Sequence, residues 1–261
     1  MITKAVILAR GLGKRMRAEN ETAKLDEKQA EIASQGIKAL MPILGNKTLL
    51  DFIFESLSKA GFTEFCLVIG NEHQAIRDFC SKLNYKISFA IQEKPLGTAN
   101  AVLAAENFVK DEQFLVVNSD NLYPVKDLER LRKLDSAGLI AFDKQNLLSK
   151  SNIDEEKINK FAVLSLDEND YLTKIIEKPE TTEKEAFISM NAWVFSPKIF
   201  QACKQISPSD RGEFELTDAV NFAIKNLDEK FTAIYSNEGV LDLSSRSDVE
   251  KVKEKLNETR K

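Results

Sequence analysis

The sequence predicts an α/β fold: a mixed, mostly parallel sheet flanked by helices, with an antiparallel extension towards the C-terminus. Three features point there. Short apolar runs end in turn or polar residues, and segments with apolar residues at helical spacing separate them. After Phe142, strand-like runs follow one another with less helix between.

In chain order, residues 5–9, 65–69, 87–91 and 114–117 read as buried strands. Residues 49–60 and 99–108 repeat apolar side chains at helical spacing, and Gly61 stands where a helix stop is expected. Strand alternating with helix marks a parallel sheet covered on both faces. Strand-like stretches at 161–166, 172–176 and 188–195 then predict an antiparallel continuation of the same sheet, because no Gly/Pro/Ser-rich linker separates the halves. Ser245 and Asp248 form a Ser-x-x-Asp capping box, opening a charged terminal helix over 245–261 that lies on the surface. The stretch 18–36, rich in Glu, Lys, Asp and Gln, reads as a solvated loop plus helix; the sharper alternative is a lid over a site.

Composition narrows the function. In 261 residues, 43% hydrophobic content supports a core. No apolar run approaches the ~20 residues of a spanning helix, so no membrane partner is expected. Residues 1–9 look like a short leader, but Arg10, Lys14, Arg15 and Arg17 follow without a small-residue cleavage site, so they read as a first strand. Cys66, Cys80 and Cys203 are widely spaced in apolar surroundings, which predicts reduced core thiols in a cytoplasmic protein. A net charge of −4 gives no electrostatic footprint for nucleic acid. The single histidine, His73, lies in a polar stretch with no nucleophile motif and reads as a surface residue. Chemistry would then fall to carboxylates, lysines, arginines and a metal.

Four blocks carry such chemistry. Ala9-Arg-Gly11-Leu-Gly13-Lys14-Arg15-Met16 follows the first strand, and its glycines allow a tight turn whose N–H groups approach an anion. It is neither a dinucleotide fingerprint, since Met16 replaces the third glycine, nor a P-loop, since Arg15 stands where Ser or Thr would meet Mg²⁺. What remains is a glycine loop with two cations, suited to a triphosphate. Lys38 opens a second block before an apolar segment. In the third, Gln92 can donate to and accept from a nucleobase edge, Gly97 permits close approach, and Thr98 can cap the helix that follows. An ordinary strand–turn–helix would explain Gly97 and Thr98 but not Gln92. The fourth ends the run 114–117 in Asn118-Ser-Asp120, placing a carboxylate at the end of a parallel strand, where open α/β sheets bind ligands. Asp242, flanked by apolar residues, is a second candidate for Mg²⁺, with a structural salt bridge as its rival explanation.

Together these blocks resemble the sugar-1-phosphate nucleotidylyltransferases, the family of glucose-1-phosphate thymidylyl- and uridylyltransferases and mannose-1-phosphate guanylyltransferases. Glu177-Lys178-Pro, Asn191-Ala-Trp-Val-Phe-Ser-Pro and Gly212-Glu-Phe-Glu-Leu-Thr-Asp218 are similar to its later blocks, so the likeness spans nearly the whole chain. It implies a Rossmann-like, nucleotide-diphospho-sugar transferase fold in one domain. Residues 1–143 would be a nucleotide-binding half, 144–244 a sugar-phosphate-binding half and 245–261 a terminal helix. Ala9, Gly11, Gly13, Lys14, Arg15, Lys38, Gln92, Gly97 and Thr98 would bind the nucleotide; Glu177, Lys178 and Asn191 the sugar phosphate; Asp120 and Asp242 Mg²⁺. Arg15, Lys38, Lys178 and Asp120 would carry catalysis. The implied partners are a nucleoside triphosphate, with a lean towards UTP or dTTP, and a sugar 1-phosphate, and the implied assembly is a homodimer.

The chain departs from the pattern at Arg10, Lys14, Ala192 and Ser244-Ser245, and the stretch 18–36 is longer than expected. Three alternatives stand beside the main expectation. A metal-dependent glycosyltransferase would carry Asp-x-Asp where this chain has Asn118-Ser-Asp120. A non-catalytic, nucleotide-sugar-sensing protein would have lost Arg15, Lys178 or a metal aspartate. A cytidylyltransferase could act on a non-sugar phosphate.

Overall fold

The computed structural model describes residues 1–18, 23–179, 183 and 185–258. Lys4–Leu8 form β1, every residue buried, as expected of a central strand covered on both faces. Ala5 and Ile7 enter the core on one face of the sheet, Val6 and Leu8 the core on the other. After β1 come α1 (Lys14–Arg17), α2 (Glu27–Gln35), a 3₁₀ turn (Lys38–Leu40) and the short strands β2 (Pro42–Leu44) and β3 (Lys47–Thr48). α3 (Leu49–Lys59) opens on a reciprocal Thr48–Asp51 capping box and buries Leu49, Leu50, Ile53, Phe54 and Leu57. Gly61 follows at φ +95°, in the left-handed region a helix stop requires.

The alternation then repeats through β4 (Glu64–Ile69), α4 (Gln74–Cys80), β5 (Lys86–Ile91), α5 (Thr98–Ala104), α6 (Glu106–Val109) and β6 (Phe114–Asn118). β1 pairs in parallel with β4 and β6, and β4 with β5. The order β6-β1-β4-β5 therefore brings four carboxyl ends to one edge of the sheet. The predicted helix over 99–108 is two. Ala105 closes on Val102 in a tighter turn (N–H to O, 3.0 Å), and this bend lets Val102 and Val109 enter the same core.

The remaining elements are β7 (Asn121–Leu122), α7 (Val125–Arg132), β8 (Ala137–Asp143), α8 (Lys144–Lys150), α9 (Glu155–Ile158), β9 (Ala162–Leu166), β10 (Leu172–Ile176), β11 (Phe187–Ser189), β12 (Trp193–Phe195), α10 (Lys198–Gln205), α11 (Leu216–Asn226), β13 (Phe231–Ser236), β14 (Leu241–Asp242) and α12 (Asp248–Glu258). The sheet runs β10-β9-β11-β8-β12-β6-β1-β4-β5, with β13 added in parallel to β8. β12, β11, β9 and β10 join it antiparallel, the predicted extension.

The expected single strand over 188–195 is instead β11 and β12. Asn191 adopts φ +58°, which breaks the pleat and lets the chain leave β9 and insert beside β6. The terminal helix starts at Asp248 rather than Ser245. The Asp248 carboxylate accepts from the N–H groups of Ser244 (3.1 Å) and Ser245 (2.7 Å), capping the chain ahead of the helix. The predicted residues 259–261 of that helix lie outside the described ones.

Candidate active site

A cavity of about 390 Å³ opens at the carboxyl ends of β1, β5 and β6. Ala9, Gly11, Gly13, Lys14, Arg15, Lys38, Gln92, Gly97, Thr98 and Asp120, distant in sequence, all line it. Gly13 is held at φ +61°, and a Cβ there would stand 2.3 Å from the Gly36 carbonyl oxygen, so the glycine loop lies directly on the backbone that leads into Lys38. Glycine is required by both the φ and the contact. The Lys14 and Arg15 side chains meet no acceptor or acid among the described residues, and α1 offers no acid in its first turn. Among those residues they are two cations without a partner at the loop. Of the described residues in the stretch 18–36, only Gly36 lines the cavity. α2 packs through Gln29 and Ala33, so the solvated loop plus helix fits its described part; residues 19–22 lie outside the description.

Gly97 adopts φ +112° and a Cβ there would approach the Phe214 oxygen to 2.5 Å. Phe214 clasps this turn: its N–H donates to Leu96 O (2.7 Å) and its carbonyl accepts from Ala99 N–H (2.9 Å). Thr98 does not cap its own helix. Its Oγ1 accepts instead from the Leu216 N–H (2.9 Å), satisfying the open end of α11, while Gly97 occupies the cap position of α5. Gln92 is buried in the cavity wall, and its amide donates to Gly97 O (3.0 Å) and Asn100 Oδ1 (2.9 Å). The expectation that it both donates and accepts is therefore halved: only its carbonyl oxygen remains for a ligand.

Asp120 follows β6, and β7 pairs antiparallel with β14, setting Asn121 opposite Asp242. Leu243 N–H donates to Asp120 O (2.8 Å), so the two predicted acids stand side by side. Asp120 accepts from the Lys38 ammonium at 2.9 Å. Asp242 is 3% exposed and accepts from Ser244 Oγ (2.5 Å) and Asn121 Nδ2 (3.2 Å). Burial raises its pKa, the Asp120 charge raises it further, and Ser244 and Lys157 oppose both. Two carboxylates that repel each other, one already drawing an ammonium, form an oxygen donor set that fits a hard divalent cation.

Glu177, Lys178 and Asn191 do not line the cavity. Glu177 and Lys178 follow β10, the latter at φ +44°, with Nζ to Oε1 of 3.8 Å. Burial raises the Glu177 pKa, with Lys178 acting against it. Asn191 is linked to the acid pair through Tyr123. The Tyr123 hydroxyl donates to Met190 O (2.7 Å), and it lies 3.4 Å from Asn191 O and from Asn121 Oδ1.

Sequence reasoning missed Tyr123, Arg211 and Lys157. Arg211 pairs with Glu215 (2.8 Å) and reaches Glu177 (4.0 Å); its place beside the Gly212 block was the available signal. Lys157 lies between Asp242 (3.5 Å) and the fully buried Asp248, and no pattern in the sequence pointed to it. His73 is half-buried rather than on the surface. Its Nδ1 accepts from the Gly70 N–H (3.0 Å), closing the turn after β4, and burial pushes its pKa down. Cys66, Cys80 and Cys203 are free and buried, and burial pushes each thiol up to about 12.

A glycine loop at the carboxyl edge of a parallel sheet, with two cations unpartnered among the described residues and Asp120 in the same cavity, has the layout of a nucleotide-handling α/β protein. The chain belongs to the nucleotidyl transferase family, whose profile matches residues 4–258. It is 30% identical over 232 residues to the low-salt glycan biosynthesis nucleotidyltransferase Agl11 of Haloferax volcanii, covering 85% of this chain and 57% of that one. It is 26% identical over 262 residues to the UTP–glucose-1-phosphate uridylyltransferase AglF of the same organism, covering 97% and 96%. The chain thus spans little more than half the length of the first relative and nearly all of the second. A crystal structure of UDP-glucose pyrophosphorylase complexed with UDP-glucose superposes with a TM-score of 0.78 at 18% identity, covering 100% of both chains.

Proposed function

We propose that this protein transfers a nucleotidyl group from a nucleoside triphosphate to a sugar 1-phosphate, giving a nucleotide-sugar and pyrophosphate. The observation that carries it is the meeting, in one cavity, of a glycine loop with two cations unpartnered among the described residues, the turn at Gln92–Gly97, and Asp120, with Asp242 buried next to it outside the lining. Ala9, Gly11 and Gly13 bring backbone to the nucleotide, Lys14 and Arg15 meet its β- and γ-phosphates, and Gln92, Gly97 and Thr98 border the base. Glu177 and Asn191 bind sugar hydroxyls, and Lys178 offsets the sugar phosphate. Relatives named for glucose-1-phosphate thymidylyl and uridylyl transfer support a sugar acceptor and a uridine or thymidine nucleotide.

An oxygen of the sugar phosphate bonds to the α-phosphorus in line as the bond to the bridging oxygen of the β-phosphate breaks, and pyrophosphate leaves with that electron pair. A phosphate monoester has its second pKa at about 6, so the attacking oxygen is already ionised near neutrality. It needs no general base, in keeping with a His73 engaged by Gly70. Asp120 and Asp242 would hold Mg²⁺, which supplies charge neutralisation at the phosphates. Lys38 orients the Asp120 carboxylate, and Arg15 stabilises charge on the leaving group. Three free, buried thiols support a reducing, cytoplasmic setting. A homodimer is the assembly we expect.

The test is pyrophosphate release with Mg²⁺, crossing UTP, dTTP, GTP, CTP and ATP against a panel of sugar 1-phosphates. Release that requires both partners supports the proposal and names base and sugar together. Tight triphosphate binding without release under any pairing overturns it.

A further inference from the structure

Arg10 follows β1 where the resemblance calls for a small residue, and the activity derived above makes no use of it. Its side chain is 8% exposed. Only Nη2 is engaged, at 3.0 and 3.2 Å from the two carboxylate oxygens of Glu72. Nε and Nη1 are buried and meet no acceptor among the described residues. A guanidinium stays charged at any physiological pH, so unpartnered buried N–H groups on it are held against a real desolvation penalty. Native proteins leave few such groups, and each calls for an explanation.

Gly70 follows β4, and a Cβ there would come within 2.3 Å of Arg10 Nε and 2.2 Å of a Glu72 oxygen, so the ion pair packs directly against this glycine. Topology says which end of the cavity this is. In the order β6-β1-β4-β5, Asp120 follows β6 and Gln92 follows β5. Arg10 leans from β1 onto the end of β4, to the Gln92 side of the glycine loop and away from Asp120 and Lys38. At that end Gln92 has both amide hydrogens engaged by Gly97 and Asn100, leaving an acceptor only. A side-chain donor there has to come from elsewhere, and Arg10 lines the same cavity with donors in hand.

We propose that Arg10 is a specificity-determining residue of the nucleotide site: its guanidinium donates to a carbonyl oxygen of the bound nucleobase, favouring a carbonyl-bearing base over adenine. The proposal rests on the nucleotide-binding reading above. Because Glu72 holds a single nitrogen, the guanidinium can turn on that anchor and present its free N–H groups to the base.

Isothermal titration of UTP, dTTP, CTP, GTP, ATP and inorganic triphosphate into the whole chain tests this, comparing wild type with Arg10→Met and Glu72→Gln. Arg10→Met is expected to weaken the preferred carbonyl-bearing nucleotide by roughly 10- to 30-fold, the value of a charge-assisted hydrogen bond, while ATP and inorganic triphosphate stay within about twofold. Glu72→Gln, which keeps Arg10 but loosens its anchor, is expected to erode the same preference by roughly threefold. Equal weakening across all ligands, inorganic triphosphate included, would make Arg10 a phosphate contact and overturn the proposal. Unchanged binding throughout would reduce it to a structural ion pair. Arg10→Lys, preserving charge and fold, carries the test if the methionine variant does not fold, with the same loss of preference expected. Wild-type protein that binds no nucleotide at all would instead refute the reading on which this rests.

Discussion

Replacing Asp120 by asparagine separates its proposed catalytic role from its structural one. The carboxylate sits 2.9 Å from Lys38 and presses on Asp242, so the substitution removes one attraction and one repulsion together. Asparagine Oδ1 still accepts from Lys38, and the Asp120 carbonyl keeps its bond from Leu243 N–H, because that contact is main-chain. The two electrostatic changes oppose one another, so stability should move by no more than about 1–2 kcal/mol, a Tm shift of roughly 2–8 °C. Turnover should respond far more. Halving the charge of the carboxylate pair proposed to hold Mg²⁺, of which Asp120 is the member that lines the cavity, is expected to lower kcat at least ~100-fold, about 2.7 kcal/mol of barrier, and to raise the Mg²⁺ concentration for half-maximal rate. Initial rates of pyrophosphate release across a Mg²⁺ titration, with differential scanning fluorimetry on the same samples, measure both. A near wild-type rate at saturating Mg²⁺ would sink the assignment. So would a Tm drop large enough to account for the lost activity by unfolding.

Gly97→Ala forces a Cβ into a φ of +112° and to 2.5 Å from the Phe214 oxygen, so Tm should fall by about 5 °C or more with loss of nucleotide affinity; an unchanged melting curve would refute the clasp. The three thiols, pushed up to about 12, should resist iodoacetamide at pH 8 in the folded protein and react fully in guanidinium, read by mass spectrometry. Because each folded thiol pKa exceeds its unfolded value of about 8.5, their contribution to stability is complete below that pH and is lost as pH rises towards 12. His73 has the opposite sign: its folded pKa is lowered by burial, so its contribution is present above about pH 6.5 and is lost as acid protonates the Nδ1 that holds Gly70. An imidazole NMR titration with its midpoint at or above 6.5 would contradict that arrangement.

The first half of the fold was legible because it is governed by local pattern. Residues 5–9, 65–69 and 114–117 are apolar without alternation, which buried parallel strands require, and they form β1, β4 and β6 within a residue or two; 87–91 forms β5, but at the sheet edge and only partly buried, against the expectation of a buried strand. The later half was less so. Positive φ at Asn191 divides one apolar run into two strands with different partners, and nothing in the run itself announces the break. β13 was not singled out at all, since its identity as a strand rests on pairing with β8. The glycine loop, Lys38, Gln92 and Asp120 were found as short motifs and do share a cavity. Thr98 was assigned to the wrong helix because a cap is chosen by which N–H lies nearest in space.

By itself the sequence determined the alternating α/β order, the glycine loop, the carboxylate at the end of β6 and the family resemblance, because these depend on neighbours within a few residues. Only the tertiary structure decided that Asp242 joins Asp120 through the β7–β14 pair, that Gln92 turns its amide onto Gly97 and Asn100 and keeps an acceptor alone, and that Arg10 rests against Gly70 with two donors unmet among the described residues. The first and last of these join segments dozens of residues apart or more, and the Gln92 bonds, although they span only five and eight residues, depend on how the turn folds back in space. Hydrogen-bond partners and burial are assigned by proximity in space, which local pattern does not encode.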